Sequence, residues 1–148
     1  MAIIKPFKGV RPAKDKVHLV ASRSVDGYNP AQLHSKLSEN PYTFLHVIKP
    51  DFGDAVKSKP NSPELLQKIK KKYLQFVQEG ILTSDKEESF YIYRQIKAGH
   101  AFTGIIACAS VWDYFGNVIK RHEQTISDKE EKLKNYLEVC DFNAEPVC

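Results

Sequence analysis

Cysteine is scarce in this sequence of 148 residues, and its spacing excludes two classes of small domain. Cys108, Cys140 and Cys148 are an odd number, and no two of them have the short spacing of a zinc site. Neither a disulfide framework nor a zinc-binding domain is indicated, so a reducing cytoplasm is the expected location. Cys108 lies in an apolar run, where a small buried residue is the simplest interpretation.

Long apolar runs are also lacking. Residues 1–7 contain no apolar core of the signal-peptide kind, and no segment approaches the roughly 20 apolar residues of a membrane span. We therefore expect no membrane association. Since no repeat, low-complexity tract or linker is visible either, residues 1–148 are expected to form one domain. Its 42% hydrophobic and 27% charged residues are typical of globular proteins.

The net charge is only +4, and much of the positive excess lies on one predicted helix. The four lysines there are Lys68, Lys70, Lys71 and Lys72. A lysine run of this kind is usually a solvated helix face, and nucleic acid or an acidic partner is the alternative interpretation.

Hydrophobic periodicity predicts an α+β domain with a mixed, largely antiparallel sheet and about three helices. The clearest helix begins after Ser62 and ends at Gly80, with apolar side chains at 3.6-residue spacing on one face. Other helices are expected after the N-cap Asn29 and over residues 128–140. In the first and last of these helices, the predicted inward residues are Leu65, Leu66, Ile69, Tyr73, Phe76, Val77, Leu133, Tyr136, Leu137 and Cys140.

Short β-branched and aromatic runs predict strands at residues 3–4, 17–21, 42–48, 90–96 and 104–112, and a loop is expected over residues 51–60. The alternation in residues 90–96 is the strongest. The turn at residues 97–100 predicts that this strand pairs with the next one in an antiparallel hairpin.

The uncharged stretch 104–112 is predicted to be a strand buried on both faces. Phe115-Gly116-Asn117 then indicates a tight turn, and the returning strand is expected to end within residues 120–123. Ser127 and Glu130 have the spacing of a capping box, which predicts that a helix begins near residue 128.

This arrangement suggests a phosphate-handling site, because the free N–H groups of a helix N-terminus attract anions. Arg121 supplies a two-pronged donor and Thr125 a hydroxyl, with Ser127 and Lys129 in the first turn. His122 or Glu123 is the candidate group to carry or remove a proton. The alternative is that Arg121 and Glu123 form a surface ion pair beside a solvated His122.

A second candidate loop, residues 22–28, follows the predicted strand 17–21. Loops at the carboxyl end of a strand often bind ligands. Asp26 is a competing base, and Arg23 would close the other side of the phosphate site if the two loops meet. The alternative is that Ser, Asp and Gly are simply turn formers there.

Four stretches together resemble one protein family. In order, they are Ile4-Lys5-Pro6-Phe7-Lys8-Gly9-Val10-Arg11-Pro12, Glu39-Asn40-Pro41-Tyr42-Thr43-Phe44-Leu45-His46-Val47, Phe90-Tyr91-Ile92-Tyr93-Arg94-Gln95, and Lys120-Arg121-His122-Glu123-Gln124-Thr125 with Lys129-Glu130 after it. The family is the one catalogued as domain of unknown function 1015, and this chain resembles the N-terminal part of its longer members.

The resemblance implies a ParB/sulfiredoxin-like fold and, as for relatives described as pyrophosphate-dependent L-serine kinases, phosphoryl transfer to a small hydroxylated metabolite. The implied partner is a small-molecule phosphorylated substrate, with phosphate or pyrophosphate as ligand; a need for Mg²⁺ stays open. The alternative is a non-catalytic, ParB-like binding or regulatory module for nucleic acid or protein. The oligomeric state and the activity of this chain alone are not predicted.

Overall fold

The protein is described here by a computed structural model that covers residues 1–120 and 127–144, without the side chains of residues 127–129. The described residues form helices α1 Val17–Val20, α2 Pro30–Glu39, α3 Leu45–Ile48, α4 Pro63–Gln78, α5 Val111–Phe115 and α6 Ser127–Cys140. They also form strands β1 Ile4–Lys5, β2 Val10–Pro12, β3 Leu82–Ser84, β4 Tyr91–Lys97, β5 His100–Ile106 and β6 Cys108–Ala109.

The strands form small two-stranded sheets that pair β1 with β6, β2 with β3 and β4 with β5. The first and last of these pairs are antiparallel. The predicted α+β class is therefore confirmed, and three of the helices have ten or more residues.

The chain divides into two compact units. Unit 1 takes its described residues from 1–10 and 84–120, and unit 2 consists of residues 11–83 and 127–144. Each is described by itself below.

Helix α4 is the centre of unit 2. Ser62 caps it, since its hydroxyl accepts the Leu65 N–H at 3.2 Å, and Gly80 follows its end at a φ of +66°. Leu66, Ile69 and Phe76 are buried. They belong to a buried cluster that consists of Val20, Val47, Leu66, Ile69, Phe76, Ile81, Leu82 and Cys140. The predicted apolar face is confirmed except for Val77, which is exposed.

Helix α6 packs on α4, and two of its four predicted inward residues, Tyr136 and Cys140, are confirmed. Cys140 is buried with its thiol 3.5 Å from the Leu66 carbonyl oxygen, and Phe142 stacks on Tyr73 with ring centroids 4.0 Å apart. Leu133 and Leu137, which were predicted to be buried, are exposed. The stacked rings fix the helix rotation, and this contact is not visible in a sequence pattern.

Helix α2 is confirmed with its predicted N-cap Asn29. The Asn29 side chain accepts the Gln32 N–H at 2.8 Å, and the Gln32 side chain accepts the Asn29 N–H at 3.2 Å. This reciprocal cap fixes the first turn of the helix. Leu37 is buried, and His34 is exposed.

Two predicted strands of unit 2 are one-turn helices instead. Residues 17–21 contain α1, and residues 42–48 contain α3. Two carbonyl groups that a strand would have offered to a neighbour accept other donors: that of Leu19 accepts from Asn40 Nδ2, and that of Val20 accepts from Phe44 N–H. Tertiary hydrogen bonds therefore override a weak strand propensity.

In unit 1, the predicted hairpin is confirmed. Strands β4 and β5 pair from Tyr91 opposite Ile106 to Lys97 opposite His100, around a turn in which Ala98 and Gly99 have positive φ. The prediction that the strand beginning at Gly104 is buried on both faces is wrong, because β5 is exposed along nearly its whole length.

The stretch 104–112 is not one strand. Strand β5 ends at Ile106, and Ser110 caps α5 by accepting the Asp113 N–H at 3.4 Å. The Ser-x-x-Asp spacing was the cap signal that the prediction overlooked. Cys108, predicted to be buried, is exposed in β6.

Gly116 and Asn117 end helix α5 and do not form the predicted hairpin turn. The Gly116 N–H donates to Trp112 O at 2.7 Å, and Asn117 has a φ of +57°. Val118 and Ile119 both donate to Asp113 O, so the described part of the expected returning strand is not a strand. Its remaining residues, 121–123, lie outside the described part of the chain.

The Tyr91 hydroxyl joins the N-terminal segment of unit 1 to its hairpin. It accepts the Gly9 N–H at 2.6 Å and donates to Asp85 Oδ2 at 2.7 Å. A Cβ on Gly9 would lie 2.7 Å from Tyr91 Cζ, which explains the glycine. The Phe7 ring packs on Tyr91, and Phe7 and Ser89 exchange backbone hydrogen bonds. Two of the family-like stretches are therefore in direct contact.

We predict that Tyr91→Phe lowers the opening free energy of this segment by about 1–3 kcal/mol, because the Gly9 N–H loses its acceptor and Asp85 loses a donor. Hydrogen exchange at the Gly9 amide measures the effect, which corresponds to exchange that is faster by about 5-fold to 150-fold. Tyr93→Phe, on the same strand, is the matched control. Unchanged Gly9 protection in Tyr91→Phe would contradict this role of the hydroxyl.

Candidate functional site

The described part of the predicted phosphate site is the start of helix α6. This helix begins at Ser127, close to the predicted residue 128. Ser127 and Lys129 belong to its first turn, where backbone N–H groups have no partner within the helix. Their side chains, and with them the predicted capping box, lie outside the description. Arg121, His122, Glu123 and Thr125 also lie outside the described residues.

The second candidate loop contains Arg23 and Asp26, both exposed. The Arg23 N–H donates to Tyr28 Oη at 3.1 Å, and the guanidinium lies over the Tyr28 ring, 4.8 Å from its centroid. The donated N–H, with the nearby guanidinium, lowers the pKa of Tyr28. Asp26 lies in a short 3-10 turn, Val25–Gly27. The loop follows helix α1 and not a strand, so the strand-end argument for a ligand does not apply.

Unit 2 also contains a groove that the sequence did not predict. Its volume is about 680 Å³, within the range of small-molecule sites. Its lining is Pro30, Leu33, His34, Leu37, Ile48, Lys49, Pro50, Asp51, Phe52, Gly53, Asp54, Lys57, Ser58, Pro60 and Leu65. The available signal was the expected loop 51–60 with its two carboxylates, placed close in sequence to the start of the α4 lysine run.

Asp51 and Lys68 form an ion pair beside this groove. Asp51 Oδ1 lies 2.8 Å from Lys68 Nζ, and Oδ2 accepts the Ser58 N–H at 2.7 Å. The ammonium group of Lys68, followed by the Ser58 N–H, lowers the pKa of Asp51. The same carboxylate is the main cause of a raised pKa at Lys68. Asp51 is therefore ionised at neutral pH, and it anchors loop 51–60 to α4.

The other polar groups of the groove are also partly satisfied within the protein. Lys57 Nζ donates to the Asp51 carbonyl oxygen at 2.5 Å, and Ser58 Oγ donates to Glu64 at 3.1 Å. Asp54 Oδ2 accepts from Lys68 at 3.2 Å. These bonds hold the loop in place, and they leave the groove with few free polar groups to recognise a ligand.

The lysine run on α4 is consequently less cationic than its composition indicates. Lys68 faces three carboxylates, those of Asp51, Asp54 and Glu64, within 3.5 Å. Lys72 donates to Gln75 Oε1 at 3.1 Å and lies over the Phe76 ring. Since Gln75 is neutral, Lys72 stays a cation of this face together with exposed Lys71 and partly buried Lys70.

Two further findings concern cofactors and membranes. Within residues 1–120 and 127–144, no group of three or more His, Cys, Asp or Glu side chains could hold a metal ion. Over the same residues, none of the helices combines the length and the apolar character that crossing a membrane requires.

The Asp51–Lys68 pair predicts a pH dependence of stability. Because the folded state lowers the pKa of Asp51, its contribution is present above the ordinary value of about 3.9 and is lost as the pH falls through the folded-state pKa. Asp51→Asn should therefore be less stable than the wild type at pH 7, and the difference should shrink towards pH 2. Urea unfolding across this range measures it.

Asp26→Asn, which changes an exposed carboxylate of the same unit, is the matched control and should keep nearly the wild-type stability at pH 7. A constant difference between Asp51→Asn and the wild type from pH 7 to pH 2 would contradict the assigned linkage.

The comparisons with known proteins identify a family and nothing finer. No curated protein and no solved structure matches the chain. The sequence model of one family, described as protein of unknown function (DUF1015), matches residues 4–148. Since this match covers all but the first three residues, the chain belongs to the DUF1015 family.

Proposed function

We propose that this chain is the phosphate-handling domain of a small-molecule phosphotransferase, with pyrophosphate as the donor and a serine-type hydroxyl as the acceptor. The observation that carries the proposal is the start of α6 at Ser127, two residues after Thr125. A helix of 14 residues then offers the N–H groups of its first turn to an anion.

The residues around this junction have the chemistry that phosphoryl transfer needs. Such transfer is catalysed mainly by positioning and by positive charge around the transferred group. In the proposal, Arg121 binds two phosphate oxygens, and Thr125, Ser127 and Lys129 add donors. Arg23 is assigned to the far side of the phosphate.

The proposed reaction begins when the acceptor hydroxyl oxygen attacks one phosphorus of pyrophosphate. The bond between that phosphorus and the bridging oxygen breaks, and inorganic phosphate leaves with its electron pair. His122 or Glu123 takes the hydroxyl proton, with Asp26 as the competing base. Mg²⁺ would neutralise charge on the donor, as it does in other phosphoryl transfers.

A non-catalytic module that binds nucleic acid or protein is the second candidate. Its sequence support was the lysine run of α4. The ion pairs of Lys68 with Asp51 and Asp54 reduce the free positive charge of this face. This observation favours the phosphotransferase. The proposal places the protein in the cytoplasm, in keeping with its odd number of cysteines.

Pyrophosphate binding tests the first step. Arg121→Ala should weaken binding by about 1.5–3 kcal/mol, the range for a hydrogen bond to a charged group. Lys120→Ala is the matched control because it removes the same charge one residue earlier, and a smaller loss is expected. Isothermal titration with pyrophosphate measures both. Equal affinity in Arg121→Ala and the wild type would remove the assigned site.

Transfer itself is tested by ³¹P NMR of the protein with pyrophosphate, Mg²⁺ and L-serine. The expected products are a phosphomonoester and inorganic phosphate in equal amounts. His122 and Glu123 are the proposed bases that accept the hydroxyl proton. Of the variants His122→Gln and Glu123→Gln, the one that loses turnover but keeps its affinity for pyrophosphate identifies the base. If the wild type binds pyrophosphate without turnover, only a phosphate-binding module remains. The second candidate would be favoured if the wild type binds duplex DNA in a salt-sensitive way and the Lys70→Ala/Lys71→Ala variant loses this binding.

A further inference from the structure

One face of the β4–β5 hairpin is apolar and exposed. The register places three cross-strand pairs on this face, which we name the isoleucine face: Ile92 with Ile105, Arg94 with Thr103 and Ile96 with Ala101. Ile92, Ile96 and Ile105 are 80%, 69% and 68% exposed. Clustered exposed isoleucines of this kind mark an interaction surface.

Arg94 lies in the middle of this face. Within the described part of the chain its guanidinium makes no hydrogen bond or ion pair. Residues 90–106 include no Asp or Glu, so the hairpin supplies no carboxylate of its own. An arginine surrounded by apolar side chains is typical of the energetically dominant centre of an interface.

This charge decides the kind of partner that fits. Two isoleucine faces packed on each other about a two-fold axis would bring Arg94 close to its own copy, and like charges in an apolar interface are costly. The fitting partner is therefore an apolar segment that carries a carboxylate.

The chain itself has such a segment on α6. Leu133 and Leu137, one turn apart, are 50% and 39% exposed, and Glu130 lies one turn before Leu133. We name these three residues the outer stripe of α6. The neighbouring Lys134 is engaged by Glu138 at 3.8 Å, which reduces its repulsion of an approaching arginine.

We propose that the isoleucine face of one copy binds the outer stripe of α6 of a second copy, with Arg94 paired to Glu130. In a two-fold dimer this contact occurs twice, since each copy supplies both surfaces. Apolar burial would provide most of the affinity, and the charge pair would fix the orientation. The inference does not rest on the proposed phosphotransferase activity, although Glu130 directly follows Lys129 of the proposed phosphate site.

Sedimentation equilibrium of the full chain over a concentration series tests the proposal. The wild type should show a monomer–dimer equilibrium. Arg94→Glu and Glu130→Arg should each raise the dimer dissociation constant at least tenfold, and the double variant Arg94→Glu/Glu130→Arg should return it close to the wild-type value. Lys97→Glu, the same charge change on the opposite face of β4, is the control that should leave dimerisation intact.

Three results would overturn the proposal. The first is a wild type that stays monomeric up to about 1 mM, a concentration at which even weak specific contacts are occupied. The second is a dimer insensitive to both single charge reversals. The third is a double variant that stays monomeric while its circular dichroism and thermal transition match the wild type.

Discussion

Burial of one face of α4 is the constraint on which unit 2 depends. The apolar residues that the structure buries most fully, including Phe76, Leu66 and Val47, all lie in this unit. Apolar burial is the main favourable term in folding, so unit 2 contains most of the driving force that the described residues provide. The groove and the start of α6 are built on this unit, and loop 51–60 is attached to α4 by the pair of Asp51 and Lys68.

Unit 1 depends on a different kind of interaction. Its described apolar side chains are half-buried or exposed, and its segments are joined by directional bonds such as those of the Tyr91 hydroxyl. A two-stranded hairpin is marginally stable alone, and bonds of this kind fix geometry more than they supply stability. The isoleucine face and the family-like stretches in contact at Tyr91 both belong to unit 1. Within the described chain, much of the apolar surface of this unit is exposed.

The candidate phosphate site was only partly accessible to sequence reasoning. Local chemistry was enough to place a helix start near residue 128, because a capping pattern depends on a few neighbouring residues. The groove was missed, since it requires α2, loop 51–60 and Leu65 to come together from separate parts of the chain. The pairing of Lys68 with Asp51 was missed for the same reason, and it changes how the lysine run is interpreted.

The sequence by itself determined the α+β class, the three long helices with their N-terminal boundaries, and the β4–β5 hairpin, because caps, turn residues and strong periodicity act over a few positions. The tertiary structure alone decided that residues 17–21 and 42–48 are helical turns, that α6 turns Tyr136 and not Leu133 towards α4, and that the hairpin is exposed. A short apolar run is compatible with either a strand or a helical turn. Its conformation and its burial are set by distant partners such as Asn40, Phe44 and Phe142, whose positions no local pattern encodes.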